Sequence, residues 1–266
     1  MTSDRYPPIG RTSLEQLIAQ TFVDSAEHHT ALTSTNDRGL TLARSQTDRP
    51  PGSVHLIYAE QQTRGRGRGG KSWLSAPGSL TFSLLIPRPE LISTVVSLAI
   101  AVAISEACAE CVPEETIRVK WPNDIYLNGR KAGGILIESP ANGSQLVIGI
   151  GINVNNSFAN LELENGEAIT LAAASGKAID RAHLFHGILS CLGKRWENAS
   201  MTLPTDWDRW CLLRGKEIIV HLEHRTIKGI CRGVDGAGNL LIEEATVDAD
   251  SPNLHAVASA KRITWQ

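Results

Sequence analysis

Four cations are gathered in one glycine-rich stretch of the sequence, "QTRGRGRGGKSW" from Gln62 to Trp73. They are Arg64, Arg66, Arg68 and Lys71, and glycines separate them. Glycine lets the backbone approach a ligand closely, and successive backbone N–H groups can form a concavity that binds anions. Guanidinium groups add paired N–H donors for carboxylate or phosphate oxygens. We therefore predict a loop that closes on a small anion, with Arg66 and Arg68 on one side of an extended chain.

The same composition is also typical of RNA-binding segments that act through arginine stacking, and of solvated linkers. Such RNA-binding segments usually recur in long arrays with interleaved aromatics, whereas this stretch occurs once and ends in one tryptophan. It has neither the spacing of a Walker A loop nor the helix-opening position of a Rossmann fingerprint. The formal net charge is −2, so the chain is not coated in positive charge for nucleic acid. These observations favour a clamp for a phosphate or carboxylate group.

A second candidate site is formed by "KWPND", from Lys120 to Asp124, and by Lys131 on the far side of a turn. The turn is Asn128-Gly129, which is the strongest short signal for a β-hairpin. A lysine placed here can direct its ammonium group at a reacting carboxyl or phosphoryl oxygen. The alternatives are a structural ion pair between Lys120 and Asp124 and a solvated Lys131, which is the commoner position of lysine.

Hydrophobic patterning predicts an α+β fold, in which a mixed sheet flanked by helices is followed by a small β-barrel. Ser34 has the position of an N-cap residue before a helix. Further elements are predicted as strands at Ser53–Gln61, Ser79–Pro87 and Gln145–Asn155, and as helices at Ser93–Val112, Arg181–Asn198 and Asp206–Leu213. From Gly215 the chain becomes a series of short strands with glycine turns. We place a catalytic domain in residues 1–214 and the barrel in residues 215–266.

The apolar segment Ser93–Val112 is the one candidate for a membrane span, but it contains Glu106 and Glu110 and is rich in alanine. A helix buried under the sheet is the better interpretation. No apolar run near the start resembles a signal peptide, and the five cysteines are scattered. Reduced thiols in the cytoplasm are therefore expected, with no membrane partner. Cys108 and Cys111 form a C-x-x-C, for which we prefer buried thiols over a redox pair or half a zinc site.

Five motifs occur in the order and approximate spacing of the biotin protein ligases, which this chain resembles from about Leu32 to its C-terminus. They are "STN", the glycine-rich stretch, "KWPND", "GRKAGGILIE" and "GIGINVN". The resemblance implies a class II synthetase-like biotin–lipoyl ligase catalytic domain and an SH3-like barrel. It also implies that biotin and ATP, accompanied by Mg²⁺, form biotinyl-5′-AMP and pyrophosphate. A lysine of a biotin carboxyl carrier protein in acetyl-CoA carboxylase then takes the biotin, and no metal bound by the protein itself is expected.

The same resemblance implies the roles of individual residues. Lys131, Arg68 and Arg66 match the catalytic cations, and the glycine-rich loop matches a lid that excludes water from the anhydride. The ligand-binding positions are Ser34, Thr35, Asn36, Gln62, Gly65, Arg66, Gly67, Arg68, Asp124, Lys131, Gly133 and Asn153.

The sequence departs from the family pattern at three points. No helix-turn-helix pattern precedes Ser34, so we expect neither DNA binding nor repressor activity. Ala168 stands where some members carry a tryptophan that stacks on adenine, and Arg64 replaces a small residue. A lipoate or octanoyl ligase or transferase of the same fold, an RNA-binding module and an inactive biotin or nucleotide sensor are the alternatives. A sheet edge near the hairpin is a candidate surface for a homodimer.

Overall fold

The computed structural model describes residues 7–45, 50, 52–88, 93–140, 145–158, 168–197, 203–244 and 253–265. Its helices are α1 Arg11–Ile18, α2 Thr35–Arg44, α3 Ser93–Cys111, α4 Leu171–Ser175, α5 Arg181–Glu197 and α6 Leu203–Trp210. The strands of the first sheet are β1 Ser25–Leu32, β2 His55–Arg66, β3 Ser72–Ser75, β4 Leu80–Pro87, β5 Ile117–Lys120, β6 Asp124–Leu127, β7 Arg130–Glu138 and β8 Gln145–Ile152. Those of the second sheet are β9 Glu217–His221, β10 Thr226–Val234, β11 Leu240–Glu244, β12 Asn253–Val257 and β13 Arg262–Trp265.

The larger sheet is mixed, as predicted, and has the strand order β1-β2-β4-β8-β7-β6-β5, with β3 paired to β2. The β1–β2 pair is parallel, and the other pairs are antiparallel. Strands β4 and β8 lie in the middle, and their near-continuous apolar runs are buried because helices cover the sheet. Strand β5 lies at one edge of this sheet. A homodimer formed through the sheet edge near the hairpin stays a prediction.

Helix α3 is the central core helix. By length and composition its Thr94–Cys111 segment could cross a membrane, but 72% of that window is buried inside the protein. It packs against α5, α6 and the sheet. Cys108 is buried on it and Cys111 is half-buried, and burial raises the pKa of both thiols.

The C-terminal strands form a separate antiparallel sheet in the order β12-β11-β10-β9-β13. It contacts the larger sheet at the "KWPND" segment. There the indole Nε1 of Trp121 donates to the carbonyl oxygen of Gly238 at 2.9 Å, and the ammonium of Lys120 lies 4.4 Å from the ring centroid of Trp265. The division of the chain into domains at residue 214 stays a prediction.

Several predicted boundaries differ from the structure, most of them by one to three residues. Strand β8 ends at Ile152. Beyond it, the backbone N–H of Asn153 donates to the carbonyl oxygen of Ala132, and that of Asn155 donates to the carbonyl oxygen of Gly78. Helix α6 begins at Leu203, earlier than the predicted Asp206, and ends at Trp210. It ends there because the backbone N–H of Leu212 donates to the carbonyl oxygen of Val119 on β5 instead of continuing the helix. Strand β2 continues to Arg66, so part of the predicted loop pairs with β3. The predicted helix end at Asn198 lies outside the described residues.

The sequence patterns did not reveal α1, β1 or β3. Strand β1 carries "SAEHHTAL", whose polar side chains hide the alternation typical of a strand. It is held in the sheet by parallel pairing with β2, which is a tertiary contact.

Candidate active site

One cavity on the larger sheet brings together most of the predicted ligand-binding residues. Its wall includes the start of α2, the end of β2, the turn after β2, and strands β6, β7 and β8. The lining residues are Ser34, Thr35, Asn36, Gln62, Arg66, Gly67, Arg68, Trp73, Thr81, Asn123, Asp124, Lys131, Gly134, Ile135, Leu136, Gly149, Ile150 and Gly151.

The N-terminus of α2 presents the "STN" triplet to the cavity. Ser34 is the N-cap, and its hydroxyl oxygen accepts a hydrogen bond from the backbone N–H of Asp37 at 3.4 Å. The backbone N–H of Thr35 donates to Oε1 of Gln62 at 2.7 Å, and its hydroxyl donates to the same oxygen at 3.1 Å. The hydroxyl oxygens of Thr35 and of the buried Ser83 on β4 lie 2.7 Å apart, at hydrogen-bond distance. These bonds fix the amide oxygen of Gln62 as an acceptor for Thr35.

Arg66 is paired with two carboxylates. Its terminal nitrogens donate to both oxygens of Glu138, at 2.8 and 2.6 Å, and one of them lies 2.8 Å from Asp37. The hydrogen bonds to Glu138, more than the nearby charge of Asp37, raise the pKa of Arg66 above its usual range. The buried Nε of Arg66 has no hydrogen-bond partner in the described part of the chain.

The glycine-rich turn itself is short and exposed. It is closed by the backbone N–H of Gly67, which donates to the carbonyl oxygen of Lys71 at 2.7 Å. Gly69 and Gly70 have φ of 68° and 76°, values that favour glycine. Arg68 begins a 3₁₀ turn instead of continuing the strand, so it does not share one extended segment with Arg66 as expected. Within the described ranges no carboxylate lies at ion-pair distance from Arg68.

The predicted hairpin places Lys131 beside Asp124. Asn128 and Gly129 form the turn with φ of 49° and 75°, as the Asn-Gly signal predicted. The ammonium of Lys131 then lies 2.6 Å from a carboxylate oxygen of Asp124, and both side chains are only partly exposed. Ala168 forms an isolated parallel β-bridge with Lys131. The side chain that this position places beside the backbone of Lys131 is therefore only a methyl group.

Glycines form part of the cavity wall and leave room for an indole. A Cβ atom on Gly151 would lie 2.6 Å from Cζ2 and 2.7 Å from Nε1 of Trp73, so the indole packs directly on the backbone of β8. The Nε1 of Trp73 is buried without a hydrogen-bond partner among the described residues. The register partner of Gly151 on β7 is Gly134, which also lines the cavity.

Three of the predicted ligand-binding residues do not line the cavity, namely Gly65, Gly133 and Asn153. A Cβ on Gly65 would lie 2.8 Å from Nε2 of Gln62, and one on Gly133 would lie 2.6 Å from Cδ1 of Ile152. Both glycines therefore allow close packing of the strands behind the wall. The ligand-binding roles of all the predicted residues stay predictions.

Several lining residues were not predicted as ligand-binding positions, among them Trp73, Thr81 and Leu136. The alternating glycines of "GIGIN" were the one available hint, because glycines two apart lie on the same face of a strand.

Comparisons with known proteins identify the family and support the fold. Residues 29–155 match the model of the biotin/lipoate A/B protein ligase family, and residues 214–256 match the biotin protein ligase C-terminal domain. A biotin--[acetyl-CoA-carboxylase] ligase of Paracoccus denitrificans is 30% identical over 223 residues, which are 79% of this chain and 90% of that protein. The chain belongs to the biotin protein ligase family.

Other members of the biotin protein ligase family are similar over much of the chain. The bifunctional ligase/repressor BirA of Bacillus subtilis is 34% identical over 81% of this chain and 68% of its own length, and BirA of Escherichia coli is matched over 62% of its length. The Aquifex aeolicus biotin protein ligase, solved in complex with biotin and ATP, superposes with a TM-score of 0.74 at 26% identity. The superposition covers 91% of this chain and 100% of the Aquifex aeolicus chain. The predicted fold is confirmed, and the lipoate alternative is not favoured.

Proposed function

We propose that this chain is an ATP-dependent biotin–[acetyl-CoA-carboxylase] ligase. The observation that carries the proposal is that one cavity contains both the Thr35–Gln62 hydrogen-bond network and two cations, Lys131 and Arg68. The network is suited to a neutral polar ring system such as the ureido group of biotin. The cations are suited to the carboxylate and the α-phosphate that must react.

In the first step a carboxylate oxygen of biotin attacks the α-phosphorus of ATP. The bond between the α-phosphorus and the bridging oxygen breaks, and pyrophosphate leaves as the mixed anhydride biotinyl-5′-AMP forms. Two anionic groups must approach each other, so their repulsion has to be offset by positive charge that is already in place. Lys131 is placed by the hairpin and oriented by Asp124, and Arg68 is the lining cation without a nearby carboxylate in the described part of the chain. Mg²⁺ enters as the complex with ATP and shares the phosphate charge.

In the second step the amine of an acceptor lysine, on a biotin carboxyl carrier protein, attacks the carbonyl carbon of the anhydride. The C–O bond to AMP breaks, AMP leaves, and an amide forms as the amine loses a proton. The exposed turn at Arg68–Gly70, with two glycines of positive φ, is suited to close over the adenylate and exclude water. We also propose that the reaction takes place in the cytoplasm, which is consistent with five free cysteines.

ATP–pyrophosphate exchange tests this proposal. With biotin present, the native chain is expected to catalyse exchange, and Lys131→Ala is expected to lower kcat by about 10²- to 10³-fold, as for loss of one transition-state cation. Arg68→Ala is expected to shorten retention of the adenylate. Lys261→Ala is the matched control, because this exposed lysine pairs with Glu223 in the turn between β9 and β10, away from the cavity. No exchange with biotin, or faster exchange with lipoate or octanoate, would refute the proposal.

A further inference from the structure

One carboxylate, that of Glu138, connects three separate elements at the edge of the cavity. It lies at the end of β7 and accepts hydrogen bonds from both terminal nitrogens of Arg66, at the end of β2. It also accepts one from the side-chain amide of Asn36, in the first turn of α2, at 2.9 Å. The side chain of Glu138 is 23% exposed. Charge-assisted bidentate bonds of this kind are the most directional that side chains make.

This pairing changes what Arg66 can contribute to the reaction. One guanidinium faces two carboxylates, Glu138 and Asp37, so its charge is already neutralised by the protein. It therefore offers little net charge to a carboxylate or phosphate of the ligands. That requirement falls first on Arg68, which has no carboxylate at ion-pair distance in the described part of the chain, and then on Lys131, which faces one carboxylate, Asp124, instead of two. Arg66 is left as an anchor whose Nε–H has no partner among the described residues.

The same carboxylate fixes the orientation of Asn36. The amide oxygen of Asn36 accepts from the hydroxyl of Ser83 at 2.6 Å, and its nitrogen donates to Glu138 and to the carbonyl oxygen of Leu136. Every hydrogen of the amide nitrogen is used, so the group cannot flip without breaking bonds. Ser83 also bonds to Thr35, and a continuous chain of hydrogen bonds thus joins the Thr35 network to Arg66.

We infer that Glu138 is a positioning residue that anchors the base of the glycine-rich loop to the N-terminus of α2. The anchored part ends at Arg66, and beyond Gly67 the chain turns and becomes exposed. The anchor keeps Arg68 within reach of the cavity each time the loop closes. Its consequence for catalysis rests on the proposed function, whereas its effect on the loop does not.

The first test uses no ligand. Limited trypsin digestion followed by mass spectrometry measures cleavage after Arg64, Arg66 and Arg68 in the native chain, Glu138→Gln and Glu138→Asp. Cleavage after Arg66 is expected to rise about tenfold in Glu138→Gln, as for the loss of one charge-assisted hydrogen bond. Glu138→Asp retains the charge and is expected to recover part of the protection.

A matched control is Glu243→Gln, which breaks another bidentate pair with an arginine, Arg232, on the exposed face of the C-terminal sheet. It is expected to leave cleavage of the loop unchanged. Arg66→Lys is a second variant that retains the charge but loses the two-pronged geometry, and it is expected to expose the loop as Glu138→Gln does. If Glu138→Gln does not fold, the digestion of Arg66→Lys tests the anchoring role of Glu138 instead.

The second test measures kinetics of ATP–pyrophosphate exchange. If Glu138 positions the loop and Asn36, Glu138→Gln raises the KM for biotin about tenfold and shortens adenylate retention by a similar factor, while kcat changes less than about threefold. A purely structural role would lower the amount of active protein, and so kcat, without changing KM.

The outcomes separate the two proposals. Equal loop cleavage in Glu138→Gln, Arg66→Lys and Glu243→Gln overturns the anchoring role, whatever the kinetics. Faster cleavage with an unchanged KM for biotin overturns the catalytic consequence. If the native chain shows no exchange at all, the proposed function fails, and the digestion still decides the role of Glu138.

Discussion

Adding one methyl group at Gly151 tests how the indole of Trp73 is seated in the cavity. A Cβ at this position would lie 2.6 Å from Cζ2 of Trp73, whereas carbon atoms prefer to be about 3.5–4.0 Å apart. The ring or strand β8 must therefore move by roughly 1 Å. Overpacking of this kind costs about 1–3 kcal/mol, and a glycine-to-alanine change recovers about 0.4–1 kcal/mol through the unfolded chain.

We therefore expect Gly151→Ala to lower the free energy of unfolding by about 1–2 kcal/mol and to weaken biotin binding. The matched control is Gly134→Ala, its register partner on β7 and another cavity-lining glycine. A Cβ there meets Asp124 Oδ1 at 3.4 Å and Lys131 Nζ at 3.7 Å, which are ordinary contacts. Gly134→Ala is expected to be neutral or to raise stability by up to about 1 kcal/mol.

Urea denaturation followed by circular dichroism measures the stability of both variants, and titration calorimetry measures their affinity for biotin. Each kcal/mol corresponds to a shift of roughly 2–4 °C in Tm for a chain of this size. Equal stability and equal affinity in the two variants would show that Trp73 does not pack on Gly151 in solution, and the reasoning about the cavity wall would be wrong.

Three further predictions concern groups outside the cavity. Hydrogen bonds from Arg38 lower the pKa of Glu27 from its usual 4.5 to about 2. This carboxylate therefore stabilises the fold above pH 4.5 and loses that effect as the pH falls toward 2. Glu27→Gln should reduce the pH dependence of the free energy of unfolding in this range by about 1 kcal/mol, as measured by urea denaturation across pH. Arg181 is 4% exposed, pairs with Glu60 at 3.2 Å and donates to the carbonyl oxygens of Ser79 and Pro7. Arg181→Met removes all of these partners at once and should cost about 3–5 kcal/mol, and a Tm close to that of the native chain would contradict this. Burial raises the pKa of the Cys108 thiol, so iodoacetamide should alkylate it far more slowly in the folded chain than in the unfolded chain. Equal alkylation rates, measured by mass spectrometry, would refute the burial of Cys108.

Local chemistry made several elements predictable from the sequence. Asn128-Gly129 predicted its turn because both residues tolerate positive φ, and the structure has that turn. Ser34 predicted the start of α2 because a hydroxyl can accept from a backbone N–H of the first turn. The apolar run of α3 predicted a buried helix, and most of it is in the core. The ordered motifs were enough to place the chain in its family.

The sequence by itself determined the glycine turn, the hairpin that presents Lys131 and the residue types of the cavity, because each depends on neighbours within a few positions. Only the tertiary structure determined which cations of the site are paired with carboxylates. Arg66 and Glu138 are 72 residues apart, and nothing near Arg66 in the chain indicates that its charge is neutralised. The packing of Trp73 on Gly151 is likewise a contact between strands. Such contacts depend on strand order and register, which local patterns do not specify.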